Sequence, residues 1–303
     1  MKVAVLMGGN SSERDVSLKT GEAVVLSLKR LGHRVVPCPY EGDVHAVLPF
    51  LQEVDVVFNA LHGGEGEDGT VQGILEAHGI PYTGSGPEAS ALAMDKHKTK
   101  VLLRENGLPT PPWLHVRTGD PPQVDLSRES FSYPVVVKPN HEGSTVGVTI
   151  VRGSHELDDA MAVAGEFGSD ILIEQYIPGR EITVAILGER SLPLVEIIPS
   201  HDLYDYACKY TEGMSRYECP AELPAELAMR ISRAAEEIAR LLGCRHYCRV
   251  DFRLNPGGEF FCLEVNTLPG FTGTSLVPKA AKARGFSFDE LVTTILDYAI
   301  RRQ

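Results

Sequence analysis

The sequence predicts an α/β fold: an open parallel α/β region followed by two mixed α+β regions. Three observations carry this. Lys2 to Met7 is an apolar run that enters Gly8-Gly9 and then a helical pattern over about residues 13–31, the strand, glycine turn and helix of a parallel unit. Near the other end, strands over 248–254 and 260–265 are joined by Asn255-Pro256-Gly257-Gly258, which has the turn chemistry of an antiparallel hairpin. The chain of 303 residues exceeds the usual single core, so two or three domains sharing clefts are expected.

Taken in order, Arg34 to Val36 reads as a second strand. A third runs from Val54 to Leu61 and ends in the glycine-rich 62–69 segment. Ligands of open α/β sheets bind beyond the carboxyl ends of strands, which places Glu13 and His62 where a ligand would sit. A helix is expected over about 89–106, then a Pro-rich stretch over 108–113. Strands over 133–139 and 171–174 flank a loop of small residues at 140–147, suited to covering phosphates. Two strands over 182–187 and 192–199 precede a polar, aromatic stretch at 200–220, read as a long functional loop. Helices follow over 224–242, with Leu227, Ile231, Ile238 and Leu241 on one side, and over 288–301. The expected domains are 1–94, 95–179 and 180–303.

Composition narrows the function. A net charge of -12 with no run of Lys and Arg argues against a nucleic-acid partner, and no apolar stretch reaches membrane-spanning length. The opening MKVAVLMGG is too short for a signal-peptide core. Six cysteines without a CxxC pair suggest reduced thiols rather than a zinc or redox site, as in a cytoplasmic protein.

The hairpin carries the most chemistry. Glu264 and Asn266 lie two apart on one strand and share a face. If residues 255–258 form the whole turn, Arg249 falls opposite Glu264 and Asp251 opposite Cys262, so Arg249, Asp251, Glu264 and Asn266 line one side. Two carboxylates, an amide and a guanidinium suit a hard cation shared with nucleotide phosphates. A salt-bridged exposed sheet face is the alternative, but it does not explain the apolar strand or the Thr267-Leu268-Pro269-Gly270 run after it. Lys138 ends an apolar strand just before the 140s loop, where a cation can meet phosphates. Lys96 and Lys209 are further candidate phosphate contacts. No GxxxxGK[ST] or GxGxxG occurs, which excludes a P-loop and weakens a dinucleotide reading.

These residues resemble the D-alanine–D-alanine ligase family of the ATP-grasp superfamily. The segments that carry the resemblance are LMGGNSSERDVSLKTG, ALHGGEGEDGTVQGILE, PYTGSGPEASALAMDKHKTK, VVVKPNHEGSTVGV, ILIEQYIPGREITVAILG, KYTEGMSRYECPA, CRVDF and EVNTLPGFTGTSLVP. It implies an ATP-grasp fold whose central and C-terminal domains enclose the nucleotide, a homodimer, ATP and D-alanine as substrates, and two magnesium ions replaceable by manganese. Glu13 would anchor the ammonium of the first D-alanine, helped by His62. Arg249 and the backbone at Gly270 would stabilise an oxyanion, while Ser275 and Leu276 would hold the second carboxylate. Tyr210, Ser144 and Glu13 resemble a hydrogen-bonded trio closing the site. Lys96, Lys138, Glu174, Tyr176, Glu181 and Lys209 match positions that contact ATP, and Asp251, Glu264 and Asn266 match the magnesium ligands. Tyr176 stands where many members carry Trp, and Phe271 where they carry Met.

The chemistry implied is attack of the first carboxylate on the γ-phosphate, then attack of the second amine on the acylphosphate, for peptidoglycan precursor synthesis. Alternatives are a related ligase using D-lactate, D-serine or another amino acid, and a catalytically silent nucleotide-binding protein. Tyr210 disfavours D-lactate. Ser144 lacks a GxSxG elbow and is not read as a nucleophile. Phe271 either narrows the second subsite or packs beneath the hairpin.

Overall fold

The apolar opening of the chain becomes β1 (Lys2–Gly8), which pairs in parallel with β2 (Arg34–Tyr40) and β3 (Val56–Asn59), in the order β2-β1-β3. The computed structural model describes residues 1–118, 124, 126–199 and 214–301. Helix α1 (Arg14–Arg30) returns over this sheet and buries Val24, Val25 and Leu28. Ser17 clips the two together: its hydroxyl accepts from Gly8 N and donates to Ala60 O, both at 2.8 Å. Short helices α2 (Val44–Leu51) and α3 (Thr70–Ala77) cover the rest of the sheet.

The helix expected over 89–106 is two helices, α4 (Pro87–Met94) and α5 (Lys96–Glu105). The break is at Asp95, whose backbone is extended and whose carboxylate accepts from Lys98 N at 3.0 Å as an N-cap. Asp95 also accepts from Asn140 Nδ2 at 2.9 Å, so a long-range bond reinforces the cap.

A second, antiparallel sheet follows, made of β4 (Trp113–Arg117), β5 (Val135–Pro139), β6 (Thr149–Val151) and β7 (Asp170–Gln175), in the order β4-β7-β5-β6. Helix α6 (Leu157–Gly165) packs Leu157, Ala160 and Ala164 against Val135, Val137, Ile171 and Ile173.

The third sheet contains β8 (Arg180–Leu187), β9 (Arg190–Ser191), β10 (Val195–Pro199), β11 (Ser215–Glu218), β12 (Tyr247–Leu254) and β13 (Phe260–Asn266). Its order is β11-β10-β8-β12-β13, with β9 beside β8. Strand β11 lies inside the stretch read from sequence as loop. Only its pairing with β10 makes it a strand, and its own residues, Ser-Arg-Tyr-Glu, have no apolar alternation to announce it. Helix α7 (Ala225–Leu241) covers one face. On the other face α8 (Leu276–Ala283) and α9 (Phe288–Arg301) share a core with Val3, Val5 and Phe58 of the first sheet. Asp289 of α9 accepts from Ser27 and Arg30 of α1, both at 2.6 Å, so the ends of the chain are joined. Among the described residues no helix is long and apolar enough to cross a membrane.

The hairpin register differs from the expected one. Leu254 pairs with Phe260, so the loop is one residue longer, and a bulge at Leu263 adds a second residue before Asp251 meets Glu264 and Arg249 meets Asn266. The two shifts sum to one pleat period. A single-residue slip would have turned one strand's side chains to the wrong face, whereas a slip of two restores it.

Candidate active site

Two cavities meet along the third sheet, and they divide the sequence-predicted residues between them. The first is lined by Glu13, His62, Ser144, Arg249, Gly270, Ser275 and Leu276. The second is lined by Lys138, Glu174, Tyr176, Glu181 and Asp251. Lys96, Glu142, Arg249 and Glu264 border both, so a group passing between the two would pass these side chains. Asn266 lines the first cavity next to Glu264. Lys209 and Tyr210 lie outside the described residues.

At the first cavity, Glu13 sits just ahead of α1, at the carboxyl end of the parallel sheet. Its carboxylate accepts from the Ser144 hydroxyl, joining the 140s loop to the first sheet. Glycines stand close on both sides of that carboxylate. A Cβ at Gly63, whose φ is +68°, would stand 3.1 Å from Glu13 Oε2, and one at Gly143 would stand 3.2 Å from it. His62 is buried, its Nε2 2.9 Å from Thr20 Oγ1. Burial lowers its pKa, and Arg249 adds to this, against the Glu13 carboxylate that pulls the other way. Its imidazole is therefore neutral at pH 7 and orients rather than neutralises.

At the far wall, Ser275 is the N-cap of α8, and its hydroxyl accepts from Thr272 N at 3.0 Å. The first amides of a helix, Leu276 among them, have no partner within the helix and point at whatever lies ahead of it. The favourable occupant is an anion such as a carboxylate. Phe271, between Gly270 and this cap, does not enter the cavity. Its side chain is fully buried, with ring centroids 5.9 Å from Phe58, 5.5 Å from Tyr247 and 5.4 Å from Phe288. Of the two readings offered by sequence, the packing one describes its position.

The second cavity opens between the second and third sheets. Val136, Val146, Val148, Ile177 and Leu263 give it an apolar slot beside the Tyr176 ring, which stacks against the Arg253 guanidinium at 5.8 Å. Lys138 Nζ donates to Glu174 Oε1 at 2.5 Å, and Lys100 Nζ stands 3.0 Å from Glu174 Oε2. Burial alone would raise the Glu174 pKa, but the two ammonium groups outweigh it and lower the value.

Sequence reasoning missed Lys100. In KHKTK it reads as a solvated charge, yet it is 1% exposed, held between Glu174, the Thr110 hydroxyl at 2.7 Å and the Trp113 ring at 5.2 Å. Replacing it with an apolar residue of similar length, Lys100→Met, leaves Glu174 with Lys138 as its one cationic partner among the described residues. The expected loss is about 1.5–3 kcal/mol, the worth of one hydrogen bond to a charged group. Denaturant unfolding measures it, and an unchanged midpoint would show that the Lys100 pair adds nothing.

Between the cavities, Asp251 is tied by Arg249, with nitrogens at 2.7 and 2.9 Å, and accepts from the Thr183 hydroxyl at 2.5 Å. Glu264 Oε2 lies 3.6 Å from Lys96 Nζ, and Asn266 Oδ1 accepts from Leu268 N at 3.1 Å. Both carboxylates thus already hold a cationic side chain. Two carboxylates and an amide oxygen on adjacent strand positions are a hard, oxygen-only donor set, which fits a divalent cation that also takes phosphate oxygens.

The chain matches known proteins over both regions. Residues 102–297 match the model of the D-ala D-ala ligase C-terminus and residues 40–85 that of the D-ala D-ala ligase N-terminus. D-alanine--D-alanine ligase of Geobacter sulfurreducens is 49% identical over 97% of this chain and 93% of its own length. That of Aquifex aeolicus is 45% identical over 98% of this chain and 100% of its own. Among solved structures, D-alanine--D-alanine ligase from Bacillus anthracis complexed with ATP superposes with a TM-score of 0.88 at 36% identity, covering 99% of this chain and 98% of that one. VanG D-Ala:D-Ser ligase from Enterococcus faecalis does so with a TM-score of 0.84 at 31% identity, covering 98% and 99%. With identity of this order along nearly the whole chain and the same ATP-grasp architecture, the chain belongs to the D-alanine–D-alanine ligase family.

Proposed function

We propose that this chain joins two D-alanine molecules at the expense of ATP, and that the two cavities are its amino-acid and nucleotide sites. The observation that carries the reading is their shared wall of Lys96, Glu142, Arg249 and Glu264. A phosphoryl group on a nucleotide in the second cavity would reach a carboxylate in the first only past these side chains.

The first D-alanine sits with its ammonium toward Glu13 and its carboxylate toward Arg249. That carboxylate attacks the γ-phosphate, anion against anion, forming the acylphosphate as ADP leaves, and Lys96, Lys138 and Arg249 offset the repulsion. The second D-alanine places its carboxylate against the Ser275 hydroxyl and the Leu276 amide, at the N-terminus of α8. Its ammonium first gives a proton to solvent; the free amine attacks the acylphosphate carbonyl, whose oxygen is received by Arg249 and the backbone at Gly270, and phosphate leaves as the nitrogen loses its second proton to it. Ser144, linked to Glu13, holds the 140s loop over the site and excludes water. Asp251, Glu264 and Asn266 would hold magnesium, which when bound would supply charge neutralisation to the phosphates.

Lys209 and Tyr210 belong to this reading as a phosphate contact and a closing hydroxyl. So do the division into 1–94, 95–179 and 180–303, supported by the three sheets each falling within one range, and a homodimer, supported by family membership. A cytoplasmic location suits an ATP-dependent enzyme whose five described cysteines are all free.

The test is phosphate release from ATP against D-alanine, D-serine, D-lactate and L-alanine. Release with D-alanine alone, accompanied by dipeptide, is the expected result. Greater release with D-alanine plus D-serine than with D-alanine would shift the second substrate, and no release with any acid would leave a silent nucleotide binder.

A further inference from the structure

Glu67 was not singled out by the sequence, although it lies in the HGGEGEDG segment. It lines the same cavity as Glu13, His62 and Arg249, and it is 8% exposed. Its Oε2 accepts from Gly63 N at 3.0 Å. Its Oε1 is buried and has no hydrogen-bond partner. Gly63 is also the residue whose Cβ would press on Glu13 Oε2, so the two carboxylates flank one glycine.

A buried carboxyl oxygen left unpaired is unfavourable and calls for an occupant of the cavity to complete it. Once Glu67 is ionised, Oε1 can only accept, and the groups facing it do not complete it: a second carboxylate, Glu13 ahead of α1, and two cations, Arg249 of β12 and Lys96 of α5, neither of which hydrogen-bonds Oε1. Tyr247 of β12 is also near enough to feel its charge. An ammonium has three N–H donors that diverge tetrahedrally, so they cannot all point at the one Glu13 carboxylate, which also receives Ser144.

We infer that Glu67 is a second acceptor for the ammonium of the amino acid bound at Glu13, through the Oε1 that the protein leaves unpaired. The inference rests on the proposed amino-acid cavity. Burial and the neighbouring Glu13 push the free Glu67 up to about 8, against Gly63 N, Arg249 and Lys96. The shift favours the neutral acid in the free enzyme. A bound ammonium favours the carboxylate, so binding sends the Glu67 proton to the buffer while the substrate keeps its own.

The experiment is calorimetric titration of D-alanine into enzyme loaded with magnesium and a non-hydrolysable ATP analogue, at pH 7 in two buffers of different ionisation enthalpy. Wild-type enzyme is expected to release up to one proton per first D-alanine bound. Glu67→Gln should abolish the release and raise KM for D-alanine about ten- to a hundredfold, the effect of one hydrogen bond to a charged group. KM for ATP should be unchanged, and Glu67→Asp should recover part of the loss. A structural role in the Gly63 turn would lower stability without moving proton release. Absence of proton release in wild type, or release and D-alanine affinity retained in Glu67→Gln, overturns the assignment; the wild-type measurement stands even if the variant does not fold. Glu13→Gln tests the cavity by itself. If that variant binds D-alanine normally the amino-acid site is misplaced, whereas lost binding there beside a normal Glu67→Gln defeats only the Glu67 assignment.

Discussion

Glu264→Gln is expected to lower ADP formation by at least about 10²–10³-fold, the range seen when one electrostatic contact to a transition state is removed, with the fold retained. The change is isosteric and removes one negative charge from the wall between the two cavities. Glu264 is part-exposed there, at 28% of its side chain, and its Lys96 partner keeps the Glu142 carbonyl at 2.5 Å, so little packing is lost. The charge matters because Glu264 faces Asp251 directly across the hairpin, and together they form the site's pair of adjacent carboxylates. On the proposed reading, a divalent cation would lose a ligand at the wall that the phosphoryl group passes. Measurement of ADP release at saturating ATP and D-alanine, with thermal unfolding of the same sample, decides the matter. Near-native turnover in a folded Glu264→Gln would remove this residue from the phosphate-transfer machinery.

Phe271→Ala is expected to destabilise the protein by about 3–5 kcal/mol, as for other buried rings. The ring has no solvent exposure and contacts one aromatic from the first sheet, one from β12 and one from the start of α9. It therefore sits where the N-terminal sheet, the third sheet and the last helix share a core, and its loss opens a cavity that three elements would have to close together. The companion Phe271→Met keeps most of the volume and is expected to leave the ratio of D-serine to D-alanine use unchanged, because the ring lies behind the cavity wall. A Phe271→Ala variant with unaltered unfolding, or a Phe271→Met variant with a changed ratio, would show that the side chain reaches the substrate instead.

Much of the site was legible in the residues because it is built from short-range patterns. The strand-to-glycine turns that present Glu13 and His62, and the two-residue spacings Arg249/Asp251 and Glu264/Asn266, depend only on chain geometry within a few residues. The register of the hairpin did not follow, since nothing local distinguishes a four-residue turn from a five-residue loop with a compensating bulge. The face prediction survived because the two errors summed to two residues. Strand β11 and the break at Asp95 were hidden for a related reason: one exists through pairing with β10, and the other is reinforced by Asn140, which is 45 positions away.

By itself, then, the sequence determined the α/β class, the longer strands and helices, the face of the hairpin on which its polar groups fall and the ligase family, all properties of local periodicity and contiguous motifs. Tertiary structure alone decided that Lys100 is a buried partner of Glu174 rather than a solvated charge, that Phe271 joins three elements rather than lining a pocket, and that Glu67 stands beside Glu13 with an unpaired oxygen. Each of these depends on what residues remote in the chain bring near it. Desolvation and charge pairing are set by neighbours in space, and their strength in a buried site far exceeds the local preferences by which the side chains would be judged in isolation.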